Sequence, residues 1–164
     1  MSENVPIEGK SGGKISAIQD LQPRDLVNAV RTLYRATGRF DEAIAEKLQV
    51  DLSALRAINV MENGSVSPKY ILEQLGLKSA SVTALLDRLE KAGHITRTVS
   101  AHDRRSWDIT LTKDAAGATE ALYNVLGATI AEVFAGRSAK ELEIAIQAIN
   151  DLVTSLDTAA DKIS

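Results

Sequence analysis

The chain has 164 residues, no cysteine and a formal net charge of −3, with 45% hydrophobic residues. That length can bury one core without metal or disulfide staples, and the lack of thiols excludes zinc ribbons, thiol redox sensing and cysteine nucleophiles. No window approaches the ~18 apolar residues of a membrane span, and the N-terminus lacks the charged and apolar regions of a secretory signal, so the sequence reads as cytoplasmic, with no membrane partner.

Residues 1–20 read as a flexible tail, because the stretch Ser11-Gly12-Gly13-Lys14 has no apolar period and cannot bury enough surface to hold itself. A long helix is expected over residues 21–50, opening near Pro23, whose fixed φ suits a first turn. Leu26, Val30, Leu33, Thr37, Phe40, Ile44 and Leu48 recur every three or four residues and carry that helix through Gly38. The glycine costs ~1 kcal/mol relative to alanine.

Residues 51–112 hold several short elements. Asp51 can cap a helix bearing Leu52, Leu55, Ile58 and Met61, which Asn63-Gly64 ends. Ser67-Pro68 opens the next helix with an N-cap hydroxyl and a proline at its first position. It carries Ile71, Leu72 and Leu75 and stops at Gly76, which can adopt the left-handed conformation. Gly76 thus makes the turn of a helix-turn-helix, whose second, recognition helix starts near Ser79 and ends at Gly93. Val82, Leu85, Leu86 and Leu89 form its apolar face, and the opposite face is small and polar. Ile95 to Val99 and Trp107 to Leu111 alternate as two strands of a hairpin with His102-Asp103-Arg104-Arg105 between them. A helix narrow enough for a major groove, beside a basic hairpin, suggests a DNA reader.

Residues 113–164 read as two further helices. Thr112 caps the first, whose stripe is Ala118, Leu122, Val125, Leu126, Thr129, Val133 and Phe134, with Gly136-Arg137 breaking it. Ser138 and Glu141 form a capping box for the last, which carries Leu142, Ile146, Ile149, Leu152, Val153 and Leu156. These seams, with that of residues 21–50, exceed what the small central unit can cover. They read as helices of a homodimer interface; the alternative is a monomeric bundle folded on itself.

The net charge hides an asymmetry. Between Lys78 and Lys113 seven cations stand against four carboxylates, a local +3 that leaves −6 for the remainder. A basic reader on an acidic body fits phosphate binding, although such a segment can also be an ordinary solvated face.

The run Asp103-x-Arg105-x-x-x-x-x-Leu111-Thr112, following Ser79-x-Ser81-Val82-Thr83-x-Leu85-Leu86-Asp87-Arg88-Leu89-Glu90 and the Gly93-His94-Ile95 turn, resembles the MarR family (multiple antibiotic resistance regulators). The similarity covers roughly residues 50 to 115, and the flanking helices match the family's plan. It implies a mainly α fold with a small β-hairpin wing, a winged helix-turn-helix between long N- and C-terminal dimerisation helices. It further implies a homodimer on a palindromic operator in double-stranded DNA, usually a repressor released by a small aromatic or anionic effector.

Carried onto this chain, the resemblance places Ser79, Ser81, Thr83 and Ala84 at the major groove. Arg88 adds specificity, Lys91 contacts phosphate, and the wing tip His102, Arg104 and Arg105 reaches a minor groove, where one of the two arginines enters. Many members have arginine or lysine where this chain has Ala84, so a bidentate guanine contact is not available there. Asp87 reads as a helix-to-wing tie, Asp103 as the group orienting an arginine, and Trp107 as wing core rather than a base-stacking platform. Tyr34, Arg35 and Asn59 are candidates for an effector pocket between the long helices and the reader. An enzyme would need a nucleophile with its base, paired carboxylates or a metal cluster. His94 and His102 lack further ligands in register, so no catalytic, metal or cofactor site is expected. The competing function is a winged-helix dimer that binds protein, or regulates constitutively without ligand sensing, for which the acidic total charge speaks.

Overall fold

A computed structural model describes residues 22–100 and 106–163. They form α1 (Pro23–Leu48), α2 (Leu52–Val60), α3 (Pro68–Leu75), α4 (Ser79–Lys91), β1 (Ile95–Val99), β2 (Trp107–Leu111), α5 (Lys113–Val133) and α6 (Ala139–Ile163). The order and the hairpin are those the sequence implies, and α1 stays helical through Gly38. Among the described residues no helix is long and apolar enough to cross a membrane.

Local chemistry explains the element ends. The Asp51 carboxylate accepts from Ala54 N at 2.8 Å and Ser67 Oγ from Tyr70 N at 3.1 Å, each satisfying a first-turn amide that helix geometry orphans. Gly76 ends α3 at φ 60°, ψ 29°. Gly93, at φ 79°, follows α4, where its amide donates to Glu90 O at 3.0 Å and the His94 amide to Leu89 O at 2.9 Å. This paired closure is a Schellman motif, and it needs a residue without a Cβ penalty at the left-handed position. Thr112 caps α5 through Ala115 N at 3.2 Å and also donates to Gly93 O at 2.8 Å, joining the start of α5 to the end of α4. Ser138 and Glu141 close their capping box reciprocally at 2.8 and 3.3 Å.

The chain divides into two units within α1. The described part of the first, up to Arg35, exposes Leu26, Val27, Leu33 and Tyr34. The second, Ala36–Ser164, holds the core. There Ile44, Ala45 and Leu48 of α1 join Leu55 and Ile58 of α2, Ile71 of α3, Val82, Leu85, Leu86 and Leu89 of α4, Ile95 of β1 and Ile109 of β2. Ile58, Ile71 and Ile109 are completely buried, each contributing ~1.5–3 kcal/mol by area. The strands pair antiparallel with Ile95 opposite Leu111 and Val99 opposite Trp107. Val66 extends the sheet on the other edge of β2, exchanging bonds of 3.0 and 2.8 Å with Ile109.

The last two helices contribute little to this core. α5 buries only Ala115 and Thr119, and α6 buries no residue. Val125, Ile130 and Val133 of α5 and Ile146, Ile149, Val153 and Leu156 of α6 are exposed.

Candidate nucleic-acid interface

The face of α4 away from the core is built by exclusion. Val82, Leu85, Leu86 and Leu89 are buried, so Ser79, Ser81, Thr83, Ala84, Arg88 and Lys91 face outward, and all six are exposed. Lys78, the N-cap, provides no side-chain cap, which leaves first-turn amides available to an outside acceptor such as a phosphate. The Thr83 hydroxyl donates to Ser79 O at 3.1 Å, so toward a base or phosphate it offers its lone pairs. A groove between α3 and α4 brings Lys69 alongside Ser79 and Thr83.

Arg88 is engaged within the protein. Its Nη1 lies 2.7 Å from Asp51 Oδ2, so the carboxylate that caps α2 also holds the recognition helix. The Ala54 backbone bond, then the Arg88 hydrogen bond, keep the Asp51 carboxyl below the usual carboxylate range. Any contact of Arg88 with DNA must share this guanidinium with Asp51. Lys91 carries no such partner among the described residues.

Asp87 meets the wing through Arg97, a residue missed by the sequence reading. The Arg97 guanidinium contacts Asp87 through Nη2 and lies 3.1 Å from Glu90 Oε2 through Nε. A signal for it was present: alternation along β1 puts Arg97 on the same face as Ile95, and Asp87 and Glu90 stand one helical turn apart on α4. The guanidinium thus clamps two carboxylates of the recognition helix and fixes the hairpin against it.

Trp107 departs from its expected place in the wing core. It is 48% exposed and its cross-strand partner Val99 is 55% exposed. The reason is position along the hairpin: the neighbouring rung at Ile109 is already fully covered, and the Val99–Trp107 rung lies on its far side, toward the tip. His102, Asp103, Arg104 and Arg105 lie outside the described residues.

The effector candidates fall in different units of the chain. Tyr34 is 76% exposed, and Arg35 donates to Thr32 Oγ1 at 3.2 Å; both belong to the first unit. Asn59, in the second, donates through Nδ2 to the Tyr123 hydroxyl at 2.8 Å. The Tyr123 ring meets Phe40 edge to face at 5.8 Å.

Residues 48–106 match the family model described as MarR family, spanning most of the region just described. Over that segment the chain is similar to the MarR family. Among curated relatives, the Bacillus subtilis (strain 168) uncharacterized HTH-type transcriptional regulator YfiV is 35% identical over 78 residues, 47% of this chain and 49% of that protein. The chain thus spans about half the length of the curated relatives it matches. Two solved structures share the MarR fold. A mutant of MepR from a multidrug resistant S. aureus clinical isolate has a TM-score of 0.66 and 19% identity, over 80% of this chain and 96% of that one. A second S. aureus MepR mutant, bound to oligodeoxyribonucleotide, has a TM-score of 0.56 and 19% identity, over 80% and 97%.

Proposed function

We propose that this chain is a sequence-specific DNA-binding transcriptional regulator, a cytoplasmic homodimer that represses from a palindromic operator and is released by a small ligand. The observation that carries the reading is the exposed small and polar face of α4, held at a fixed angle to the hairpin by Arg97. Ser79, Ser81, Thr83 and Ala84 fit a major groove closely because none is bulky, and hydroxyls serve either base edges or phosphates. His102, Arg104 and Arg105 supply the basic wing, Lys91 a phosphate contact, and Arg88 orients α4 through Asp51 before it reaches DNA. The MepR structure holding an oligodeoxyribonucleotide supports this use of the fold.

The homodimer reading is supported by the exposed isoleucine and valine seam of α5 and α6, which a partner's equivalent seam would remove from water. Selection of bound sequences from random DNA at fixed salt tests binding and symmetry together. The reading expects two inverted half-sites with centres about 34–36 Å apart; enrichment of no sequence, or of one asymmetric site, refutes it.

A further inference from the structure

Asp51 uses both of its carboxylate oxygens. Oδ1 accepts from Ala54 N at 2.8 Å and caps α2, while Oδ2 accepts from Arg88 Nη1 at 2.7 Å. Capping needs only one side-chain oxygen, as Ser67 and Thr112 show at the starts of α3 and α5. The second oxygen is surplus to the cap, and the carboxylate is anchored at two points. Stability does not account for the contact: the Arg88 and Asp51 side chains are 64% and 48% exposed, and exposed pairs of this kind contribute little.

Ser81, Ala84 and Arg88 recur at spacings of three and four along α4, so one outward stripe carries all three, and all are exposed. Ser81 and Ala84 are short. Arg88 alone of the three is long, and its planar fork can make two parallel donor bonds. Asp51 takes one N–H of that fork, and among the described residues nothing else accepts from it. The bond compensates the guanidinium charge, which reduces its attraction for a phosphate, yet leaves the remaining N–H groups with a fixed direction. Lys91 is the opposite case. It has no carboxylate partner among the described residues, and its uncompensated point charge suits a phosphate.

Directed donors with little net charge match a pair of neutral acceptors, and the major-groove edge of guanine presents such a pair in O6 and N7. We propose that Asp51 is a positioning residue for base recognition: it holds the Arg88 guanidinium so that its free N–H groups read one guanine in each half-site. The guanine contact that Ala84 cannot make is thereby supplied one helical turn further along the same stripe. Asp51 itself touches no base; it acts through Arg88, from the first turn of a different helix. The inference rests on the regulator reading above and names a base which that reading leaves open.

The test selects bound sequences from random DNA with the full chain as wild type, Arg88→Met and Asp51→Asn, then titrates the selected operator and a scrambled duplex over a range of salt. The wild type should enrich a guanine at one position of each half-site, and replacing that guanine should cost roughly 5- to 150-fold in affinity. Arg88→Met should erase the preference at that position and leave the other positions as they were. Asp51→Asn keeps a capping side chain but frees the guanidinium. It should lower the guanine preference at least about threefold while binding the scrambled duplex more tightly, with a salt slope steeper by up to about 0.9 per half-site. Loss of a cap alone would weaken both duplexes alike and would not move a base preference. Arg88→Met weakening both duplexes equally would make Arg88 a phosphate contact and overturn the proposal. So would an Asp51→Asn profile that superimposes on the wild type, or one in which both duplexes lose affinity in parallel. A wild type that enriches no sequence removes the regulator reading and this inference with it; a wild type that selects an operator beside variants with unchanged base preferences removes this inference alone.

Discussion

Replacing Arg97 with methionine tests how the recognition helix and the wing are held together. Methionine preserves most of the apolar stem that packs beside the core and deletes only the guanidinium. Arg97 is 22% exposed in its side chain, whereas Asp87 and Glu90 are 60% and 45% exposed. The substitution therefore leaves no buried carboxylate without a partner, which rules out the ~3–5 kcal/mol penalty of a broken buried pair. What is lost is one partly shielded guanidinium shared by two solvated carboxylates. Exposed pairs contribute ~0–1 kcal/mol each, so the two together contribute at most about 2 kcal/mol. For a chain of this size that lowers the melting temperature by at most about 8 °C. Urea denaturation of the wild type, Arg97→Met, Asp87→Asn and the double variant should give a coupling energy of ~0.5–1 kcal/mol. DNA affinity should fall by more than stability does, because the hairpin loses its fixed angle to α4. A stability loss above ~3 kcal/mol would mean that Arg97 is a buried core cation; unchanged DNA affinity would mean that the clamp does not set the wing.

Other outcomes follow from the same geometry. The Asp51 pair predicts an acid limb: its carboxyl is held low in the folded state, so its contribution is complete above the ordinary carboxylate range and is lost as pH falls through the lowered value. Asp51→Asn keeps a capping side chain but loses Arg88 and the titration, so urea denaturation should show the difference from wild type shrinking as the pH is lowered through that window. Changing both Arg104 and Arg105 to alanine should abolish operator binding in a mobility-shift assay while sedimentation is unchanged; full affinity would remove the wing from the account. Sedimentation of the wild type at micromolar concentration should show a dimer, and a monomer there would leave the α5 and α6 seams without their proposed cover.

Element ends were the most legible part of the fold, because each depends on two or three neighbouring residues. Asp51, Ser67 with Pro68, Gly76, Gly93, Thr112 and the Ser138–Glu141 box announce themselves locally, and the structure uses each of them at a helix end. What escaped depends on how elements meet. Arg88 reads as a free cation on the groove side until α2 places Asp51 against it, 37 residues away in sequence. Arg97 reads as a surface strand residue until β1 lies on α4. Asn59 and Tyr123 are 64 residues apart and pair only because α5 returns to α2. Trp107 follows the same logic in reverse: its alternation matches Ile109, but how much of a strand face is covered depends on where the body ends. The polar face of α4 was readable because helical period alone separates it from the buried stripe.

The salt dependence of binding to a selected operator tests the central claim most directly. A dimer that grips phosphates through two wings and two recognition helices, roughly six or more contacts, should lose about a thousandfold in affinity between ~50 and ~200 mM salt, linearly in the logarithms. Affinity that changes by less than about threefold over that range would contradict phosphate reading and point to a winged-helix dimer that docks on protein.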